Sequence, residues 1–141
     1  MKKARTLCLD VGDKRIGVAI SDPDGRVALP RKVLKRTSLE KDLETISDII
    51  EENQVFMLVI GHPISLSGGK SRQTLLVEEF TEELKNNIDI ETVLWDERLS
   101  TSEADKSLSS MGTDSRKRKD RIDGIAASLI LQNYLDKNRD I

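Results

Sequence analysis

The residues of this chain that are best suited to chemistry are acidic side chains at the ends of apolar runs. Asp10 lies near the end of the run Leu7–Val11, and Asp96 and Glu97 follow directly on the run Thr92–Trp95. A carboxylate in such surroundings is costly to bury unless it is paired or binds a metal ion. If the two runs are parallel strands of one sheet, their carboxyl ends lie at the same edge. The spacing therefore predicts that these acids converge.

A further acid lies in the last segment with helical periodicity. Asp123 precedes Ala126 and Ala127 by three and four residues and Ile130 by seven. It therefore shares a stripe with small and apolar residues that should pack on the sheet. Converging carboxylates repel one another unless a cation binds between them, and oxygen ligands suit Mg²⁺ or Mn²⁺. One or two such ions would support hydrolysis of a phosphodiester.

Each acid also has an ordinary structural interpretation. Asp10 could cap the turn that follows it, and Asp96 and Glu97 could mark an exposed strand end. Asp123 could complement the dipole of its helix. The convergence of all of them at one predicted edge favours the metal site.

The apolar pattern predicts an α/β protein with a five-stranded mixed sheet flanked by helices. Strands are predicted over residues 7–11, 16–20, 26–34, 55–60 and 92–95, the first three as an antiparallel meander and the last two parallel to the first. Helices are predicted over residues 38–53, 70–86, 100–111 and 120–137. Two of them are expected to begin with capping boxes, Thr37 with Glu40 and Ser100 with Glu103.

The composition predicts one domain spanning residues 1–141 in the cytoplasm. The chain is 37% hydrophobic and 34% charged, and it contains no apolar run long enough to cross a membrane. The short N-terminal apolar run does not fit a signal peptide. Cys8 is the only cysteine, which suits a reducing compartment and predicts a small core residue. Phe80 and Trp95 are also expected in the core.

Positive charge is concentrated at the two ends of the sequence. Residues 1–36 contain ten Lys and Arg against four acids, whereas residues 37–97 contain four against fourteen. Beside a metal site, basic side chains would bind the phosphates of a nucleic acid. The candidates are Lys14, Arg15, Arg98, Arg116, Lys117, Arg118, Lys119 and Arg121. The loop 65–72 lacks the glycine spacing of a P-loop, and the lone histidine, His62, is expected at most to contact substrate.

Four motifs together resemble the YqgF/RuvX family of RNase H-like proteins. They are residues 10–22 (DVGDKRIGVAISD), residues 61–63 (GHP) with Gly68, residues 96–101 (DERLST) and residues 122–132 (IDGIAASLILQ). This family is described as Holliday-junction resolvase-like and as nucleases of precursor ribosomal RNA. One departure is His62, where such proteins usually carry an apolar residue.

The resemblance implies an RNase H-like fold and an acidic metal-binding and catalytic set of Asp10, Glu97 and Asp123. It also implies a bacterial cytoplasmic enzyme that matures the 5′ end of the small-subunit (16S) ribosomal RNA precursor. The expected activity is a metal-dependent endonuclease, acting on precursor RNA or on branched DNA, as a monomer or a homodimer.

Two other functions fit parts of the sequence. A non-catalytic RNA-binding factor for ribosome maturation would need the basic residues but not three clustered carboxylates. An actin-like or sugar-kinase ATPase would share the Asp-x-Gly hairpin, but 141 residues are too few for the two lobes that close over a nucleotide.

Overall fold

A computed structural model describes residues 5–65, 67–97 and 115–138 of the chain, with the side chains of residues 115–124 left out. It contains a mixed sheet between helices, as predicted. The strands are β1 (Arg5–Val11), β2 (Arg15–Ser21), β3 (Ala28–Pro30), β4 (Leu34–Lys35), β5 (Val55–His62) and β6 (Glu91–Asp96). The helices are α1 (Leu39–Glu52), α2 (Arg72–Asn87) and α3 (Ser115–Lys137).

The order of strands places the longest apolar runs at the centre of the sheet. The strand order is β3-β2-β1-β5-β6, with β4 also paired to β2. β1 is antiparallel to β2 and parallel to β5, and β5 is parallel to β6. The carboxyl ends of β1, β5 and β6 therefore lie at one edge.

The predicted third strand, residues 26–34, is wrong as a single element. The structure divides it into β3 and β4, so that the sheet has six strands among the described residues. Between the two pieces the chain leaves β2 only after Arg31, whose backbone N–H still donates to the carbonyl of Val18 at 2.8 Å. Both pieces pair with β2, at its two ends.

Side-chain alternation along the strands builds two cores. On one face, Leu7 and Leu9 of β1 pack with Ile46 of α1 and with Phe80 and Leu84 of α2. On the other face, a smaller cluster joins the sheet to α3: Cys8, Ala19, Val59, Ala127, Ile130 and Leu131. The expected core positions of Cys8 and Phe80 are confirmed, and Trp95 packs at the margin of the second cluster. The sheet is thus covered by α1 and α2 on one side and by α3 on the other.

The start of α1 differs from the predicted capping box. Ser38, not Thr37, is the N-cap, and its hydroxyl accepts a hydrogen bond from the backbone N–H of Lys41. The carboxylate of Asp42 accepts from the backbone N–H of Thr37 at 3.1 Å. Asp42, one turn inside the helix, therefore accepts the hydrogen bond that the predicted capping box assigns to Glu40.

The last helix begins earlier than predicted. α3 starts at Ser115 rather than at Asp120, so the basic run of residues 116–121 lies in its first turns instead of in a loop. The helix predicted over residues 100–111, with its capping box, lies outside the described residues. None of the helices in the described part of the chain has both the length and the apolar content needed to span a lipid bilayer.

Candidate active site

Asp10 lies on the face of the sheet that α3 covers. Its neighbours Leu9 and Val11 contribute to the core under α1 and α2, whereas Cys8 belongs to the cluster under α3. Because side chains alternate along a strand, Asp10 is on the same face as Cys8. It is the next-to-last residue of β1 and pairs with Gly17 of β2. A carboxylate is thereby fixed at the rim of a closely packed core.

Glu97 reaches the same face from the end of β6. It follows Asp96 directly, and alternation places it on the side of Trp95, which packs in the cluster under α3. Between β1 and β6 runs β5, where Gly61 is paired with Trp95. A Cβ atom at Gly61 would lie 3.0 Å from both Cγ and Oε1 of Glu97. The absence of a side chain at Gly61 is therefore what lets the Glu97 carboxyl group lie across β5.

The carboxyl groups of Asp10 and Glu97 are hydrogen-bonded to each other. Burial, followed by the charge and hydrogen bond of Asp10, raises the pKa of Glu97 to about 9. Burial also raises the pKa of Asp10, while the hydrogen bond from Glu97 opposes that rise. At neutral pH the pair therefore holds one shared proton. Such a pair is stable only when a proton or a cation lies between the oxygens.

The neighbouring thiol of Cys8 is not suited to act as a nucleophile. Burial raises its pKa well above the usual value, and the charges of Asp10 and Glu97 raise it further. The neutral thiol is a packing group beneath the acidic pair.

The third predicted acid, Asp123, is in α3. It lies one turn before Ala127 and two turns before Ile130, both of which are buried against the sheet. The Cδ1 atom of Ile130 would lie 2.9 Å from a Cβ at Gly61, so this part of the helix packs above Gly61, next to the carboxyl group of Glu97. The side chain of Asp123 lies outside the described part of the structure. Its membership of the site stays a prediction.

Side chains of the described residues include no group of three metal-ligating residues. Two carboxyl groups in contact nevertheless fit a divalent cation, because in their ionised form they would offer it oxygen ligands. The donor set is thus two observed acids, with Asp123 as the predicted third.

The turn after Asp10 is held from the far face by one residue between β4 and α1 and by one residue of α2. Arg36 donates from Nη1 to the carbonyl of Gly12 at 3.1 Å, and its backbone N–H donates to the carbonyl of Lys14 at 2.9 Å. Gln73, in the first turn of α2, donates from Nε2 to the carbonyl of Val11 at 2.7 Å. The backbone next to Asp10 is therefore fixed from outside its own hairpin.

The guanidinium of Arg36 is itself fixed on two sides. Its Nε lies 3.3 Å from Oδ2 of Asp42, and its Cζ lies 4.9 Å from the centroid of the Phe80 ring. Sequence patterns do not single out Arg36 or Gln73, because each lies among other polar residues and acts through contacts distant in sequence. The Gly-His-Pro pattern at the end of a buried strand draws attention to Gly61. The close approach of Glu97 to Gly61 depends on the tertiary structure and is not visible in that pattern.

Of the predicted phosphate-binding residues, the structure describes the side chains of only two. Lys14 is exposed in the turn and Arg15, half-buried, begins β2, so both lie at the edge where Asp10 is found. Arg98 lies outside the described residues. The side chains of Arg116, Lys117, Arg118, Lys119 and Arg121 also lie outside them.

His62 is bound to the protein itself. Its Nε2 lies 2.8 Å from Oε2 of Glu78 in α2, and Lys70 Nζ lies 3.1 Å from the same oxygen. The hydrogen bond with His62, and then that with Lys70, lowers the pKa of Glu78. This unusual histidine therefore joins β5 and the following loop to α2.

The sequence matches the family described as "RuvX: Holliday junction resolvase" over residues 4–137. The chain belongs to the RuvX family. A Thermoanaerobacter pseudethanolicus protein named "Putative pre-16S rRNA nuclease" is 47% identical over 96% of this chain and 99% of its own length. A Carboxydothermus hydrogenoformans protein of the same name is 49% identical over 94% of this chain and 96% of its own length. The expected family is confirmed.

Solved structures with a similar fold include two resolvases. RuvC from T. thermophilus in complex with a Holliday junction substrate has a TM-score of 0.61 at 9% identity, covering 96% of this chain and 97% of RuvC. The fowlpox virus resolvase with Holliday junction DNA has a TM-score of 0.54 at 12% identity, covering 96% and 99%. At such identities the similarity concerns the fold, and it confirms the predicted RNase H-like architecture.

The shared proton predicts how stability depends on pH in EDTA. The folded protein keeps a proton on Glu97 up to about pH 9, whereas the unfolded chain releases it near pH 4.5. Between these values the folded state binds more protons, so the free energy of unfolding should fall as pH rises, by at most about 1.4 kcal/mol per pH unit for one proton. Urea unfolding at pH 6, 7 and 8 measures this slope. Glu97→Gln should make it shallower, and an unchanged slope in that variant would contradict the shared proton.

Proposed function

We propose that this protein is a metal-dependent endonuclease that hydrolyses phosphodiester bonds. The observation that carries the proposal is the hydrogen-bonded pair of Asp10 and Glu97 on the α3 face of an RNase H-like sheet. Two half-buried acids in contact have no stabilising role that an amide could not perform at lower cost. They are useful where a divalent cation must be held.

Asp10 and Glu97 would hold the cation, with Asp123 as a third ligand. A bound divalent cation supplies Lewis-acid stabilisation of the negative charge that develops on a phosphate during hydrolysis. Lys14 and Arg15 would bind the flanking phosphates, since both lie beside Asp10 at the same edge. Arg98 and the basic first turns of α3 would extend this contact. Arg36 and Gln73 keep the turn in place while substrate binds.

The substrate we favour is the precursor of 16S ribosomal RNA, cleaved during maturation of its 5′ end in the cytoplasm. Its support is the name of relatives that are 47% and 49% identical over nearly the whole chain. Branched DNA is the second candidate, favoured by the description of the RuvX family. Mg²⁺ and Mn²⁺ both fit oxygen ligands of this kind.

The first test is a cleavage assay with precursor 16S RNA that carries its 5′ leader and with a four-way DNA junction, each with Mg²⁺ or Mn²⁺. We expect cleavage of the RNA, and a loss of at least about 10²-fold in Asp10→Asn and Glu97→Gln, because each removes a ligand charge. Asp13→Asn, an exposed acid three residues from Asp10, is the matched control and should cleave normally. Equal rates for wild type and Asp10→Asn would refute the nuclease. Metal-independent RNA binding without cleavage would favour the non-catalytic maturation factor.

A second test uses the space above Gly61. Gly61→Ala would place a methyl group 3.0 Å from the Glu97 carboxyl and 2.9 Å from Cδ1 of Ile130. Displacement of a ligand by a fraction of an ångström or more should lower cleavage about 10- to 100-fold while the protein stays folded.

The variant Gly61→Ala with Ile130→Val separates the two contacts. Ile130→Val removes the crowded Cδ1 methyl and so relieves the helix, but it leaves the crowding at Glu97. Cleavage should stay low in the double variant, with circular dichroism confirming the fold. Recovery of full activity would mean that the helix, and not Glu97, is what Gly61 accommodates.

A further inference from the structure

A basic residue outside the predicted set lies on the active-site face. Lys35 is the second residue of β4, the two-residue strand at the edge of the sheet, and it pairs with Arg15 of β2. Residues paired directly across an antiparallel ladder share a face. Arg15 is two residues from Gly17, the partner of Asp10, so Lys35, Arg15 and Asp10 are on the same side of the sheet.

Lys35 and Arg36, the residue that follows β4, have different surroundings. Arg36 is on the opposite face, where its guanidinium is occupied by Asp42, Phe80 and the carbonyl of Gly12. Lys35 is exposed and makes neither an ion pair nor a hydrogen bond through its side chain with any residue in the described ranges. Because successive side chains of an extended chain point to opposite faces, the Arg36 side chain is used inside the protein to hold the turn. The Lys35 side chain remains available to a ligand.

The cross-strand pair of Arg15 and Lys35 brings two positive charges together. An anion bound beside them would meet positive charge from both strands. Lys14, which is exposed and directly precedes Arg15, adds a third cation at the same edge. The surface formed by Lys14, Arg15 and Lys35, named here the edge clamp, therefore has the charge pattern of an anion site.

The distance between the edge clamp and the acidic pair suits a polymer rather than a small anion. Two strand spacings and two residues of rise separate Lys35 from Asp10, which amounts to roughly 12 Å between Cα atoms. One strand of nucleic acid lying across this rim would present successive phosphates to the acidic site and to the edge clamp.

We propose that the edge clamp is a phosphate-binding subsite in which Lys35 holds the nucleic-acid backbone beside the scissile phosphate. The inference rests on the proposed nuclease function for its substrate, but it concerns binding and does not require cleavage. It assigns a purpose to the separate strand β4: the pairing of its Lys35 with Arg15 places the lysine on the substrate face, next to Arg36, which holds the turn. A contact of this kind is independent of base sequence.

Lysine on an edge strand has another common purpose, which is to prevent edge-to-edge aggregation. Lys32 offers the matched comparison. It is exposed on the same edge connection but lines a groove with Val18, Ile20 and Ile49, on the face of α1. Both lysines contribute equally to net charge and to edge protection, but only Lys35 faces the acidic site.

The experiment measures binding of the full chain in EDTA, where cleavage does not occur. Fluorescence anisotropy with a labelled 20-nucleotide single-stranded RNA and with a four-way DNA junction, at several salt concentrations, compares wild type, Lys35→Gln, Lys32→Gln and Lys35→Arg. Lys35→Gln should raise the Kd about three- to tenfold and lower the slope of log K against log salt by roughly 0.7–0.9. Lys32→Gln and Lys35→Arg should bind like wild type.

Each outcome decides the proposal. Equal weakening by Lys35→Gln and Lys32→Gln would show a general charge effect and overturn the edge clamp, as would unchanged binding in Lys35→Gln or no binding by wild type. A loss confined to Lys35→Gln supports it, and the polymer that shows the loss identifies the substrate class. Normal binding by Lys35→Gln in an enzyme that cleaves RNA refutes the clamp and leaves the nuclease intact. Lys35-dependent binding without any cleavage refutes the nuclease and leaves the clamp intact.

Discussion

The contact between the carboxyl groups of Asp10 and Glu97 is the constraint on which the rest of the site depends. The two acids come from strands that are not neighbours, since β5 lies between β1 and β6. They meet because the parallel register brings three strand ends to one edge and because Gly61 leaves the space above β5 empty. The cost of holding two half-buried acids together is offset by the shared proton, or by the cation that we propose they bind.

The two faces of the sheet have different roles: one carries the acidic pair, and the other holds the backbone next to it. α3 packs closely, through Ala127 and Ile130, on the face of the sheet that carries the acidic pair. α1 and α2 build the larger core, and from the far side they hold the backbone that follows Asp10, through Arg36 with Asp42 and through Gln73. The half-buried acidic pair and the basic side chains beside it can therefore face a polymer at the rim, because their backbone is fixed by contacts that the polymer does not touch.

Much of this arrangement could be predicted from local patterns. Residues close in sequence are enough to predict the strands β1 and β5, from their apolar runs, and the helices α1 and α2, from their periodicity. They also predict that Asp10 and Glu97 lie at strand ends. Three features could not be predicted in this way. The division of residues 26–34 into β3 and β4 depends on which end of β2 each piece meets, and the start of α1 depends on the carboxylate of Asp42. The role of Gly61 depends on the side chain of Glu97, which lies 36 positions later in the sequence, so no local pattern can predict it.

Direct binding of a divalent cation tests the central claim independently of any substrate. Electron paramagnetic resonance of free Mn²⁺, titrated with the protein at pH 7.5, measures how much of the ion is bound. Wild type and Asp13→Asn should remove Mn²⁺ from solution in a saturable way, whereas Asp10→Asn and Glu97→Gln should bind it much more weakly, because each replaces a charged ligand with a neutral amide. Mn²⁺ binding by both amide variants with the affinity of wild type would contradict the account.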